Sequence, residues 1–91
     1  MGLSQTLSAL AEPNRQKIVT LLKRGERSVT ELMQGLSITM PTLSHHLDIL
    51  KRAGLVSSRR EGQSVLYQLN MSVVEEVTQE VVAFLRLRNK H

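Results

Sequence analysis

Residues 37–56 constrain this chain more than any other stretch, because they specify a helix with both ends marked and one dry side. Thr39 suits the N-cap, and Pro41 falls in the first turn, where its missing N–H is not needed. Leu43, Leu47 and Leu50 follow at i, i+4, i+7 and gather on one face. Gly54 then suits the C′ position, which favours a left-handed backbone. At about 100° per residue, Pro41, Ser44, His45, Asp48 and Arg52 fall on the opposite side. Short donors and acceptors of this kind can enter a DNA major groove and meet base edges. An ordinary amphipathic surface helix would carry the same stripe, so this segment alone leaves two readings open.

The periodicity changes after Gly54. Residues 55–60 and 65–69 read as two short strands around a glycine-containing turn at 61–64. In the second, Val65, Tyr67 and Leu69 alternate with Leu66 and Gln68, so one face can pack while the other meets solvent. Arg59 and Arg60 run into the turn, and Gln63 and Ser64 lie just beyond it. An isolated arginine pair would read as a solvated hairpin tip. Directly after a recognition-like helix, the ribbon reads instead as a wing that reaches DNA backbone or minor groove.

Charge agrees with that reading. The 91 residues carry a formal charge of +4, with a sequence isoelectric point of about 10.1, the electrostatic footprint of a nucleic-acid binder. Residues 1–70 hold nine basic and five acidic side chains, and residues 71–91 hold three of each. The excess therefore belongs to the segment that would read DNA. No segment combines a basic face with bulky aromatics, since Tyr67 and Phe84 are the whole aromatic complement, and no apolar run is long enough for a membrane span. The first residues lack the basic start and apolar stretch of a signal peptide. Cysteine is absent, which removes disulfides and thiolate metal sites and suits the cytoplasm.

The remaining segments read as helices. Leu3, Leu7, Leu10 and Ala11 make a short stripe over 3–11. A second helix begins at Glu12-Pro13-Asn14 and runs to about Arg24, burying Ile18, Val19, Leu21 and Leu22, with Gly25 closing it. Ser28 and Glu31 form a capping box that opens a third helix through Leu32, Met33 and Leu36. Residues 28–54 then make a helix-turn-helix pair, 55–69 the wing, and Asn70 can cap a last helix over 71–88. Its apolar residues cover more than one stripe, which is too much for one small body. Leu3, Leu7, Val73, Val77, Val81 and Phe84 are accordingly expected at a homodimer interface. The expected fold is mainly α with a small β-hairpin, a single winged helix-turn-helix domain spanning 1–91.

This order resembles the ArsR/SmtB family of small winged-helix repressors over nearly the whole length, and most of all its short SdpR-type autorepressor branch. The likeness rests on Leu10-Ala11-Glu12-Pro13-Asn14-Arg15 with Ile18, Leu21 and Leu22, and on Glu31-Leu32. It continues through Pro41-Thr42-Leu43-Ser44-His45-His46-Leu47 with Leu50, through Ala53-Gly54-Leu55-Val56, and through Arg60-Glu61-Gly62-Gln63 with Tyr67 and Leu69. The resemblance implies a homodimer that reads an imperfect palindromic operator in double-stranded DNA. Base contacts would come from Thr42, Ser44 and His45, with Pro41 beside them. His46 is counted with this DNA-binding set as a helix-orienting or phosphate-contacting residue.

The family's two metal sites are absent by position. Its arsenic-type thiolates correspond to Ser28, Thr30 and Met33, and its zinc-type ligands in the last helix to Met71, Val73, Phe84 and Leu87. A solvated acidic face explains Glu75, Glu76 and Glu80 better than an improvised site with His91. The reading is therefore a repressor without metal or cofactor, whose inducer would be a protein, a small molecule or its own concentration. The alternative is a winged-helix protein-interaction module that reads no DNA. Enzymatic activity is not expected: there is no cysteine, no Gly-rich phosphate loop, and Ser44 and His45 are helix neighbours that cannot form a nucleophile–base pair.

Overall fold

The computed structural model describes residues 2–88. In chain order the elements are α1 (Leu3–Leu10), α2 (Pro13–Leu22), β1 (Arg27–Ser28), α3 (Val29–Gln34), α4 (Met40–Arg52), β2 (Val56–Glu61), β3 (Ser64–Leu69) and α5 (Met71–Arg88).

Short-range chemistry sets most of these boundaries. Glu12 caps α2 by accepting the Arg15 N–H at 2.9 Å, and Pro13 takes the first helical position. The helix stops at Leu22, two residues before the expected end at Arg24, and Lys23 and Arg24 lead through a tight turn to Gly25 at φ 133°. Ser28 accepts the Glu31 N–H at 3.1 Å while the Glu31 carboxylate accepts the Ser28 N–H at 2.8 Å, so both halves of the capping box form. Thr39 caps α4, accepting the Thr42 N–H at 3.4 Å. At the other end of α4, Gly54 takes φ 77°. Gly54 N–H donates to Lys51 O and Leu55 N–H to Leu50 O, both at 3.0 Å, which is the paired closure of a Schellman motif.

The wing differs from expectation by one strand. Beyond the β2–β3 hairpin, β1 pairs antiparallel with β3, Arg27 opposite Tyr67 and Ser28 opposite Leu66, giving a three-stranded sheet in the order β1-β3-β2. Two residues carry no alternation to read, and β1 exists only because β3 offers its open edge. Gly62 turns the hairpin at φ 62°, with Gln63 as the second loop residue.

Ile18, Leu22, Leu32, Leu43, Leu47, Leu50, Leu55 and Val56 are all buried, closed in by Ala9 and Ala53. Each large apolar side chain contributes about 1.5–3 kcal/mol on burial, so this cluster holds the helices to the sheet. Val73 and Val74, in the first turn of α5, also pack against it. Farther along, Val82, Phe84 and Leu85 are exposed. The radius of gyration is 14.5 Å, against about 12 Å for a compact chain of this length. Among the described residues no helix is long and apolar enough to cross a membrane.

Candidate nucleic-acid interface

The outer side of α4 carries Pro41, Thr42, Ser44, His45, Asp48, Lys51 and Arg52, all exposed. Their placement follows from the dry stripe: Leu43 and Leu50 are 0% exposed and Leu47 2%, which turns the short polar residues outward. Thr42 shares its hydroxyl with the cap, accepting from Thr39 Oγ1 at 3.0 Å. Arg52 pairs with Asp48 one turn earlier at 2.7 Å, a surface contact worth a few tenths of a kcal/mol at about that spacing. Lys51 donates through Nζ to Ser58 Oγ at 2.9 Å and so ties the end of α4 to β2 of the wing.

His46 must be taken out of the DNA-facing set. It is 6% exposed and points inward from α4. Nη1 of Arg15 donates to His46 Nδ1 at 3.1 Å, and Glu12 Oε2 lies 3.8 Å from Nε2. Glu12 is already engaged as the α2 cap, and the Arg15 backbone N–H it accepts is the main reason its carboxyl sits below the usual range. The family-like run Glu12-Pro13-Asn14-Arg15 marked one side of this contact, but not the partner 31 residues away.

Arg59 is engaged within the protein. Its Nε and Nη2 donate to the two oxygens of Glu26 at 3.0 and 2.9 Å, and Nη1 donates to Glu61 at 2.6 Å. These hydrogen bonds, Glu26 first, push the guanidinium pKa upward. Glu26 directly precedes β1, so the side chain crosses β3 and braces the wing against the body instead of standing free at its tip. Arg60 is exposed and has no hydrogen-bond or ion-pair partner among the described residues, and Gln63 and Ser64 are exposed beside it. The wing therefore presents one uncompensated arginine where the sequence suggested two.

The expected dimer residues divide between two environments. Leu3, Leu7, Val81 and Phe84, with Ser4 and Leu85, line an apolar groove of about 520 Å³ between α1 and the far half of α5. Val77 is half-buried, whereas Val73 packs on the protomer's own core and does not extend the exposed patch. Leu87 is within α5, but its side chain lies outside the described set, as does His91.

At the positions matching the family's thiolate site, Ser28 spends its hydroxyl on the α3 cap. No group of three or more His, Asp or Glu side chains among the described residues could hold a metal ion.

Residues 12–58 match the profile of the family described as bacterial regulatory protein, arsR family. The transcriptional repressor SdpR of Bacillus subtilis is 34% identical over 83 residues, covering 91% of this chain and 92% of its own. The transcriptional repressor SmtB of Mycobacterium tuberculosis is 40% identical over 79 residues, and the match spans 87% of this chain but 58% of SmtB. Among solved structures, a homodimeric winged helix-turn-helix DNA-binding domain from Mycobacterium bovis superposes with a TM-score of 0.76 at 33% identity, covering 98% of this chain and 84% of that one. SdpR and SmtB are both named as transcriptional repressors. The helix-turn-helix, the three-stranded wing and the matched sequence together make this chain a member of the ArsR family of bacterial regulatory proteins.

Proposed function

We propose that this ArsR-family regulator is a sequence-specific transcriptional repressor that binds an imperfect palindromic operator as a homodimer, in the cytoplasm and without a metal signal. The carrying observation is the polar outer face of α4, held beside the hairpin by Lys51–Ser58 and flanked by the exposed Arg60, which has no partner among the described residues. Thr42, Ser44 and His45 are placed to meet base edges, Pro41 packs beside them, and Arg60, Gln63 and Ser64 reach phosphate or minor groove. The groove between α1 and α5 takes a second copy, which sets two recognition helices on one face of the duplex.

The chemistry at the matching positions supports a signal other than metal. Ser28, Thr30, Met33, Met71, Val73, Phe84 and Leu87 supply neither thiolates nor imidazoles. The inducer is then a protein, a small molecule or the repressor's own concentration.

Selection of bound duplexes from a random pool tests the reading. Two related half-sites centred about 34–36 Å apart are expected. Enrichment of no sequence, with binding insensitive to salt, would replace the repressor with a protein-docking module.

A further inference from the structure

The buried stripe of α4 has one polar member, His46, and the groups that hold it come from the α1–α2 junction. Arg15 occupies the first turn of α2. Its Nε–H donates to the Ala9 carbonyl in the last turn of α1 at 2.6 Å, while Nη1 donates to His46 Nδ1 at 3.1 Å. A guanidinium has donors only, so Nδ1 is the acceptor and the ring proton sits on Nε2, toward Glu12. Gln16, the next residue of α2, donates to the Leu10 carbonyl at 2.8 Å. The negative C-terminal end of α1 is thus held by two α2 side chains, and one of them also grips the middle of α4. Every buried side-chain nitrogen and oxygen among the described residues has a partner, so the network is closed.

We infer that Arg15 and His46 are positioning residues that fix the recognition helix relative to the dimer face and thereby set the half-site spacing the protein accepts. The inference rests on the homodimeric repressor reading. α1 borders the groove that takes the second copy, and α4 carries the base-facing side chains. Leucine packing alone is non-directional and lets a helix rock on its neighbours. Over a helix of 13 residues, about 20 Å long, a tilt of ~5° moves the ends by roughly 1 Å. That exceeds the ~0.5 Å window in which a donor and a base edge remain hydrogen-bonded. One directional bond at mid-helix, tied through the same guanidinium to the end of α1, limits this freedom, and twofold symmetry makes any residual error appear in both half-sites.

The test uses the selected operator with its half-sites at the preferred spacing and at one base pair more or less, at constant salt. Wild type is expected to disfavour the altered spacings by about tenfold or more. Arg15→Met and His46→Leu should remain dimers by sedimentation, yet their spacing preference should fall to roughly twofold, with no further loss in the double variant. His46→Gln, whose amide oxygen can still accept from Arg15, should keep the preference. Equal weakening at every spacing, as a purely structural role gives, or a full preference retained in folded His46→Leu, overturns the inference. If Arg15→Met does not fold, the contrast between His46→Leu and His46→Gln decides alone, since Leu only extends the apolar stripe. If wild type selects no spaced pair of half-sites, the repressor reading fails first and this inference with it.

Discussion

α4 and α5 are both amphipathic helices of this small body, and they treat their apolar residues in opposite ways. In α4 the stripe of Leu43, Leu47 and Leu50 is closed over within the protomer, and what remains outside is polar. In α5 only the first turn does this, through Val73 and Val74, and farther along Phe84 is 54% and Leu85 52% exposed. A soluble chain seldom leaves such residues together unless something covers them. On the proposed function, one helix is finished by folding and the other by assembly, and it is the finished helix that meets DNA.

Core truncation gives the largest contrast between them. Leu50→Ala should cost about 2–5 kcal/mol in denaturant unfolding, whereas Leu85→Ala should change protomer stability by less than ~0.5 kcal/mol and instead weaken self-association. Similar losses of global stability at both positions would erase the distinction.

Phe84→Glu attacks the open side directly. On a lone protomer the carboxylate stays in water; buried against a second copy it would be unpaired. A folded monomer is expected by sedimentation, with apparent operator affinity lower by about 100-fold, because the second half-site contact loses its effective concentration. Full operator binding by a monomeric variant would mean that the far half of α5 plays no part in DNA reading.

The wing supplies a smaller effect that separates neighbouring arginines. Arg60→Ala should make the dependence of log K on log salt shallower by roughly one unit. Arg59→Ala should leave that slope unchanged while raising backbone mobility of the hairpin, because its partners are Glu26 and Glu61. Reversal of the two slopes would return Arg59 to the DNA.

The smallest effect is at acid pH. Glu12 and Glu31 both sit below their ordinary value of 4.5, chiefly through the backbone hydrogen bonds they form as caps, with Arg15 and Ser28 respectively. A depressed carboxyl stabilises the fold above its unfolded-state value, and that contribution fades as pH falls through the lower, folded-state value. Unfolding midpoints should therefore decline below about pH 4.5, and Glu31→Gln, which keeps a capping side chain but cannot titrate there, should flatten part of the decline. An unchanged acid profile would remove Glu31 from this role.

How much of this was legible in the sequence depends on the distance between the partners. The Ser28–Glu31 box, the Thr39 cap, Gly54 past the end of α4 and the α4 stripe all follow from residues a few positions apart, and all could be read directly. β1 could not, because its two residues pair with β3 38 to 40 positions later. Nor could Arg15 as the partner of His46 or Glu26 as a partner of Arg59, which lie 31 and 33 residues away. The site was therefore legible as a face but not as a charge map: Glu61 sits beside both arginines, and nothing local says that it pairs with Arg59. The stop of α2 at Leu22, two residues before the expected Arg24, coincides with the last apolar residue of its stripe and with the turn into Gly25 at positive φ.

The Asn70 side-chain amide donates to the Gly54 carbonyl at 2.8 Å, and its backbone N–H donates to the Leu55 carbonyl at 2.9 Å. The point where the chain leaves α4 is therefore stitched to the point where it enters α5. The ribbon between them begins and ends in the same place, like an eyelet on a closed seam. Residues can be added to or taken from both strands in register, at the modest entropic cost of a longer loop, without moving either helix. How far the wing reaches can thus be changed independently of how the two helices are set.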